Sequence, residues 1–471
     1  MNPIIMYGSA IIAVSIVIYM LIKQMDIKIT MFLMGIVLMF VGIAAGNGIA
    51  VKDFVGTGAV WLDPLLAIAQ QFQQTLTSAG FIILILGGYS AYMTSIGAND
   101  VTVSVITKPV SRIKSAYILV PIVFLLGNAL SLVIPSASNL AIILLATLYP
   151  VMRKAGMSTL TAAAVIATTA TVMPTPLGGD NVAIAQELAK YPDYLGMTVT
   201  EYVFRYHAVI SIPTIILMAI VHYFWQKFMD KRNKSNDVDN VELQDVKEIE
   251  GGVLYKTVYA LLPIFPIVLL IVTYCLKTFA GVDINVNVEV ATLFSFALAI
   301  ICDAIKRKNG KDALQQTESF FKGMGGAMPI VALLVAATIF VTGLKSIGLI
   351  EALQEAMMNI QGSGLGFVLP LILVLLTALI VLLSGSGTAL FYAMVPLMVA
   401  LSTAAGISAI AVSIPMGLAG NLLRAVSPVS AVVLIVAGSV KKSPLEIVRR
   451  TSVPMIAGVV FMFVLSMMLF L

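Results

Sequence analysis

The sequence predicts an all-α polytopic membrane protein made of two inverted repeats, and three observations carry that prediction. Of the 471 residues, 60% are hydrophobic and 11% charged, with mean hydropathy +1.03, whereas a soluble domain carries about 25% charged residues. Apolar segments of roughly 20 residues, long enough to cross a hydrocarbon core, recur along the whole length. Finally, the two halves contain stretches that look like copies of one another. The first runs through Ser95-Ile96-Gly97, Ser136-Ala137-Ser138-Asn139 and Leu177-Gly178-Gly179-Asp180-Asn181. The second runs through Ser346-Ile347-Gly348, Ser386-Gly387-Thr388 and Leu418-Ala419-Gly420-Asn421 with Arg424. Repeated halves with helices broken near mid-bilayer point to a binding site where the halves meet, the construction of many secondary transporters.

Ten spans follow in order, near 4–22, 30–50, 79–97, 158–190, 204–226, 257–277, 289–305, 327–345, 406–438 and 452–471. The first is read as a retained helix, because it lacks a small-residue cleavage site and a second span follows closely. Two helical hairpins are expected near 116–152 and 365–402, and surface-lying amphipathic connectors near 60–78, 99–115, 311–325, 349–361 and 442–450. The repeats then comprise 1–226 and 257–471, each with five spans and one re-entrant hairpin. Residues 227–256 between them, charged and polar, read as a cytoplasmic linker.

Lys and Arg set the orientation. With the N- and C-termini outside, the cytoplasmic loops collect 22 of the 28 Lys and Arg, from Lys23 and Lys28 through to Arg449 and Arg450. Five lie outside (Lys52, Lys190, Arg205, Lys277 and Lys345), and Arg424 remains within the membrane. The same assignment puts the ends of the first hairpin inside and those of the second outside, which makes the halves inverted. The net charge of +5 is accounted for by topology and implies no nucleic-acid partner. Cys275 and Cys302 lack metal-ligand spacing and read as inert.

The chemistry concentrates at the breaks. In 158–190, Pro174-Thr175-Pro176-Leu177-Gly178-Gly179-Asp180-Asn181 removes amide donors and adds glycines. In 406–438, Gly417 to Pro428 does the same around Arg424. Irregular backbone at membrane depth must line a cavity or be buried in protein. A central Arg or Asp costs roughly 2.5–3.5 kcal/mol on insertion scales and therefore has a partner. For Arg424 two partners are open: a substrate carboxylate, which its planar fork suits, or Asp180, in an ion pair stitching the halves. Asp180 is a candidate for a proton or, with nearby carbonyls, for a hard cation. The tips Pro135–Asn139 and Ser384–Thr388, including Gly387, offer hydroxyls and helix N-termini suited to an anion. His207 and His222, at opposite ends of one span, read as interfacial. An intramembrane protease fits poorly: no His lies near Ser386, and no second membrane Asp pairs with Asp180.

At these residues the chain resembles the DcuC family of anaerobic C4-dicarboxylate carriers. The resemblance is densest in Ala91–Asp100, Leu145–Met152, Gly385–Ala393 and Arg424–Ser430. It implies the ion-transporter superfamily: a homodimer in the bacterial cytoplasmic (inner) membrane with an elevator-type mobile domain, moving succinate, fumarate and malate. By that likeness Ser136, Ser138 and Asn139 bind substrate from the first tip, and Ser386 and Thr388 from the second. Thr175, Asn181, Asn421 and Ser427 line the breaks. Asn139 and Asn181 depart from the family pattern and add amide oxygens to Asp180, leaving Na⁺, H⁺ or a different anion open. The function expected is cation-coupled transport or exchange of C4-dicarboxylates, with a carrier for another organic anion or an amino acid as the alternative.

Overall fold

The computed structural model describes residues 2–471 except 24, 52–53, 135, 170–171, 173, 233–250, 283 and 353–365. All its regular secondary structure among the described residues is helical. The amino-terminal part contains α1 (Pro3–Ile22), α2 (Ile27–Ala44), α3 (Asp63–Thr75), α4 (Phe81–Ser95) and α5 (Ala98–Thr107). A helical pair, α6 (Ala116–Leu130) and α7 (Ala137–Lys154), comes next. Beyond it lie two short helices, α8 (Thr159–Ala167) and α9 (Gly179–Leu188), and the long α10 (Ala208–Arg232). The second half contains α11 (Val253–Leu261), α12 (Phe265–Ala280), α13 (Val288–Arg307), α14 (Gly310–Gln316) and α15 (Glu318–Ser346). It continues with α16 (Val368–Ser384), α17 (Thr388–Met394), α18 (Met398–Ala405), α19 (Ala409–Leu423), α20 (Ala431–Ser439) and α21 (Pro444–Phe470).

Small residues bring one group of helices together. α15 packs along both α2 and α4, and where they cross, the contact is backbone on backbone. A Cβ on Gly35 would lie 2.7 Å from the Ile339 carbonyl oxygen, and one on Gly343 2.7 Å from that of Gly35. On the α4 side a Cβ on Gly88 would lie 2.8 Å from the Phe320 oxygen, and one on Gly323 would overlap the Ala91 methyl. Between apolar helices in lipid there is no hydrophobic drive to associate, so close packing at small residues holds them. Gly323→Val is therefore expected to destabilise by about 1–3 kcal/mol, the usual cost of overpacking, and to lower the unfolding midpoint in detergent. An unchanged midpoint would contradict this packing.

A second group packs around α10, α19 and α21, and a polar network joins the ends of α8, α10 and α21. The Arg450 guanidinium at the start of α21 donates to Asp230 Oδ1 at 2.7 Å, and its side chain is 3% exposed. Asp230, on α10, also accepts from Ser158 Oγ (2.9 Å) and Thr161 Oγ1 (3.0 Å) of α8. Gln226 Nε2 donates to the Arg450 carbonyl at 2.9 Å. The charge rule puts all three helix ends on one side. It likewise groups Ser95 with Ser319, whose hydroxyls are 2.8 Å apart, and Asn47 with Ser346, where Asn47 Nδ2 donates to the Ser346 carbonyl at 3.0 Å.

Ten helices or joined helices are long and apolar enough to cross a membrane among the described residues. Nine coincide with expected spans. The tenth is Thr388–Ala405, expected as a hairpin arm, whereas 158–190 divides into α8 and α9, each too short to count. Two connectors are corrected. Residues 442–450 form no separate surface helix, because the Ser443 capping box starts α21 at Pro444 and it continues unbroken to Phe470. Of 311–325, only the first part is α14, and α15 begins at Glu318. The connector 60–78 is α3, joined to α4 by a π-helical turn with a kink at Ser78. Most of the 227–256 linker, most of the 349–361 connector and Pro135 lie outside the described residues.

Candidate functional site

The two breaks face each other across one cavity of about 280 Å³. From the first break it is lined by Val172, Thr175 and Gly178 to Asn181, and from the second by Gly417, Leu418, Gly420, Asn421 and Arg424. The tip between α16 and α17 adds Ser386, Gly387, Thr388, Phe391 and Tyr392. Ser131, at the end of α6, His207 and Ile330 of α15 complete the lining among the described residues.

Local bonding explains the shape of the first break. With Pro174 and Pro176 unable to donate, the chain turns on Thr175: its Oγ1 accepts from the Leu177 amide at 3.1 Å, and its carbonyl accepts from Asn181 Nδ2 at 3.0 Å. The turn ends at Gly178, and α9 starts with its N-terminus and Asp180 at the cavity. In the second break, α19 tightens into a 3-10 turn at Arg424–Val426, where the Ala425 carbonyl accepts from Thr451 Oγ1 at 2.6 Å. That bond seats the Arg424 turn against α21.

The halves are joined directly by Asn421, whose Nδ2 donates to Asp180 Oδ2 at 3.0 Å, while Asp180 Oδ1 accepts from the Asn181 amide at 3.0 Å. Arg424 and Asp180 are also coupled through their charges. One carboxylate thus receives two N–H donors and lies within the field of a guanidinium, while Arg424 also lines the cavity. Close backbone approach lets the second tip in: Gly385 has φ +77°, and a Cβ there would lie 2.7 Å from the Val429 oxygen. A Cβ on Gly387 would lie 2.9 Å from the Gly420 Cα. The glycines at the tip therefore set how closely it meets the α19 break.

Of the residues singled out from the sequence, Thr175, Asp180, Asn181, Ser386, Gly387, Thr388, Asn421 and Arg424 line this cavity. Ser136, Ser138 and Asn139 are not among its lining residues. Ser136 instead caps α7, its Oγ accepting from the Asn139 amide at 3.4 Å, and both are exposed. Asn139 is accordingly not grouped with Asp180 and Asn181, and among the described residues of that hairpin it is Ser131 that reaches the cavity. Ser427 is buried behind it, donating to the Leu382 carbonyl at 3.2 Å. Among the described residues no cluster of three His, Cys, Asp or Glu could hold a metal ion. His207 corrects the interfacial reading of both histidines. It is buried and at the cavity, and His222 is buried as well. Its place was hidden because it ends a π-helical turn, Tyr202–His207, whose extra residue shifts which side chains face inward.

A family model for DcuC, the C4-dicarboxylate anaerobic carriers, matches residues 6–471. The chain is 37% identical to the probable anaerobic C4-dicarboxylate transporter DcuC of Vibrio cholerae, over 92% of this chain and 91% of that one. It is 34% identical to the anaerobic C4-dicarboxylate transporter DcuC of Escherichia coli, over 92% and 90%. Its fold is similar to the crystal structure of the Alcanivorax borkumensis YdaH transporter, with TM-score 0.68 at 14% identity, covering 93% of this chain and 97% of that one.

Proposed function

The chain belongs to the DcuC family of C4-dicarboxylate anaerobic carriers, and we propose that it is a secondary active transporter of succinate, fumarate and malate. The observation that carries this reading is the cavity between the two breaks, with Arg424 and the Asp180–Asn421 bond in its wall. Its size, just under the roughly 300–1,000 Å³ of drug-sized sites, suits a four-carbon diacid with little spare room. Arg424 offers one carboxylate a two-pronged contact, and the Ser386–Thr388 tip offers hydroxyls and the N-terminus of α17 to the other.

Asp180 serves the coupling ion. Its oxygens, with the Thr175 carbonyl and Asn181 close by, make an oxygen-rich place for Na⁺, and the carboxylate alone suffices for H⁺. The two halves act as inverted repeats, with the broken helices and hairpins moving as an elevator against the α2–α4–α15 group. The protein acts as a homodimer in the bacterial inner membrane, with both termini outside. In this scheme substrate neutralises Arg424 while Asp180 carries the ion, so that the loaded site crosses with its charges matched.

The test is counterflow: labelled succinate should accumulate transiently in proteoliposomes preloaded with unlabelled succinate, and external fumarate should block it. No accumulation by protein shown to be folded would sink the dicarboxylate reading. Repeating uptake with a Na⁺ or a proton gradient identifies the ion. Asp180→Asn should abolish gradient-driven uptake while leaving part of the succinate exchange. Persistence of ion-driven uptake in that variant would remove Asp180 from the coupling site.

A further inference from the structure

His207 lies at the cavity although nothing in the transport scheme above uses it. Its side chain is 4% exposed and held at one nitrogen, Nδ1, which is 3.1 Å from Ser211 Oγ one turn on in α10. The Ser211 hydroxyl is itself fully buried, and this is the one hydrogen bond it makes among the described residues. If Nδ1 carried the proton, the hydroxyl hydrogen would be left buried without an acceptor, at a cost of about 1–3 kcal/mol. The hydroxyl therefore donates to Nδ1, and the ring proton of the neutral imidazole is on Nε2. Nε2 makes no hydrogen bond within the described residues, yet it is not among the fully occluded polar atoms. It is a donor with access to the space it lines.

The groups around it are Asp180 of α9, Arg424 of the second break and Tyr392 of α17 across the cavity, and Tyr202 on its own turn, with ring centroids 6.3 Å apart. We propose that His207 is a further substrate-binding residue of the carrier, donating Nε2–H to a carboxylate of the transported anion, and that Ser211 is its positioning residue, fixing the tautomer. The π-helical turn supplies the geometry: an extra residue at Tyr202–His207 places the imidazole at the cavity without unwinding α10. The inference rests on the reading of the cavity as the dicarboxylate site.

The experiment is the concentration dependence of succinate counterflow for the wild-type chain, His207→Leu, His207→Gln, Ser211→Ala and the double variant His207→Leu with Ser211→Ala. Losing a hydrogen bond to a charged group should raise KM for His207→Leu about tenfold or more, with the maximal rate much less affected. His207→Gln, which retains an N–H donor, should recover part of the loss. Ser211→Ala should raise KM by itself but add nothing in the His207→Leu background, because both act through one contact. Unchanged KM in His207→Leu, or additive effects of the two substitutions, would overturn the proposal. If His207→Leu fails to insert, Ser211→Ala decides alone, and a wild-type KM in that variant overturns it. A silent wild-type chain instead sinks the dicarboxylate reading, and this inference with it.

Discussion

Arg424→Ala should raise the KM for succinate by roughly thirtyfold to several-thousandfold, the equivalent of about 2–5 kcal/mol for truncating one partner of a buried charge pair. Two effects combine in that figure. The substrate loses a two-pronged donor, and Asp180 loses the positive charge to which it is coupled. Arg424→Lys separates them, because lysine keeps the charge and loses the planar fork. It should fall between wild type and alanine, with the shortfall measuring the fork. The readout is the concentration dependence of counterflow, with size-exclusion profiles as a check on folding. Wild-type KM in Arg424→Ala would show that Arg424 serves only to join the halves, the alternative that the sequence leaves open. In that case Arg424→Ala should lower the unfolding midpoint and spare affinity.

The second large effect is on stability. Arg450→Ala leaves the partly buried Asp230, 13% exposed, without its 2.7 Å partner, and removing one member of a buried ion pair costs about 3–5 kcal/mol. The unfolding midpoint in detergent should drop accordingly, and transport per folded molecule should change far less. Ser158 and Thr161 still donate to Asp230 in this variant, which keeps the loss at the lower part of that range. Replacing both charges with apolar residues of similar volume should restore much of the loss, because the desolvation of the pair is then also removed. If Arg450→Ala unfolds no more readily than wild type, the network does not hold α8, α10 and α21 together.

The spans were legible because each is a local property. A helix in lipid must satisfy its own backbone and present apolar side chains, so nine of the ten long apolar helices are readable from composition alone. The breaks were legible for the converse reason. Pro174 and Pro176 remove amide donors just before Asp180 and separate α8 from α9, whereas Gly417 and Gly420 continue α19 and the second break comes at the Arg424–Val426 turn. Helix ends were read less well. An amphipathic surface connector was expected at 442–450, but Arg450 is buried against Asp230 and α21 runs on. Its count among the loop charges gave no sign of that buried environment.

The candidate site divides in the same way. Asp180, Asn421 and Arg424 stand out in sequence because a polar residue within an apolar span demands a partner. Which partner each takes is a matter of distance between segments 241 positions apart, and composition carries no such information. The structure makes Asn421 the direct donor to Asp180, leaves Ser136 exposed as the cap of α7 with Asn139 exposed beside it, and brings His207 to the cavity through a π-helical turn. The sequence by itself determined that this chain lives in a bilayer, where its helices break and which charges lie in the breaks, because insertion energetics act segment by segment. Only the tertiary structure decided which of those polar groups share one cavity, because that depends on how closely the glycine-lined helices and tips approach one another.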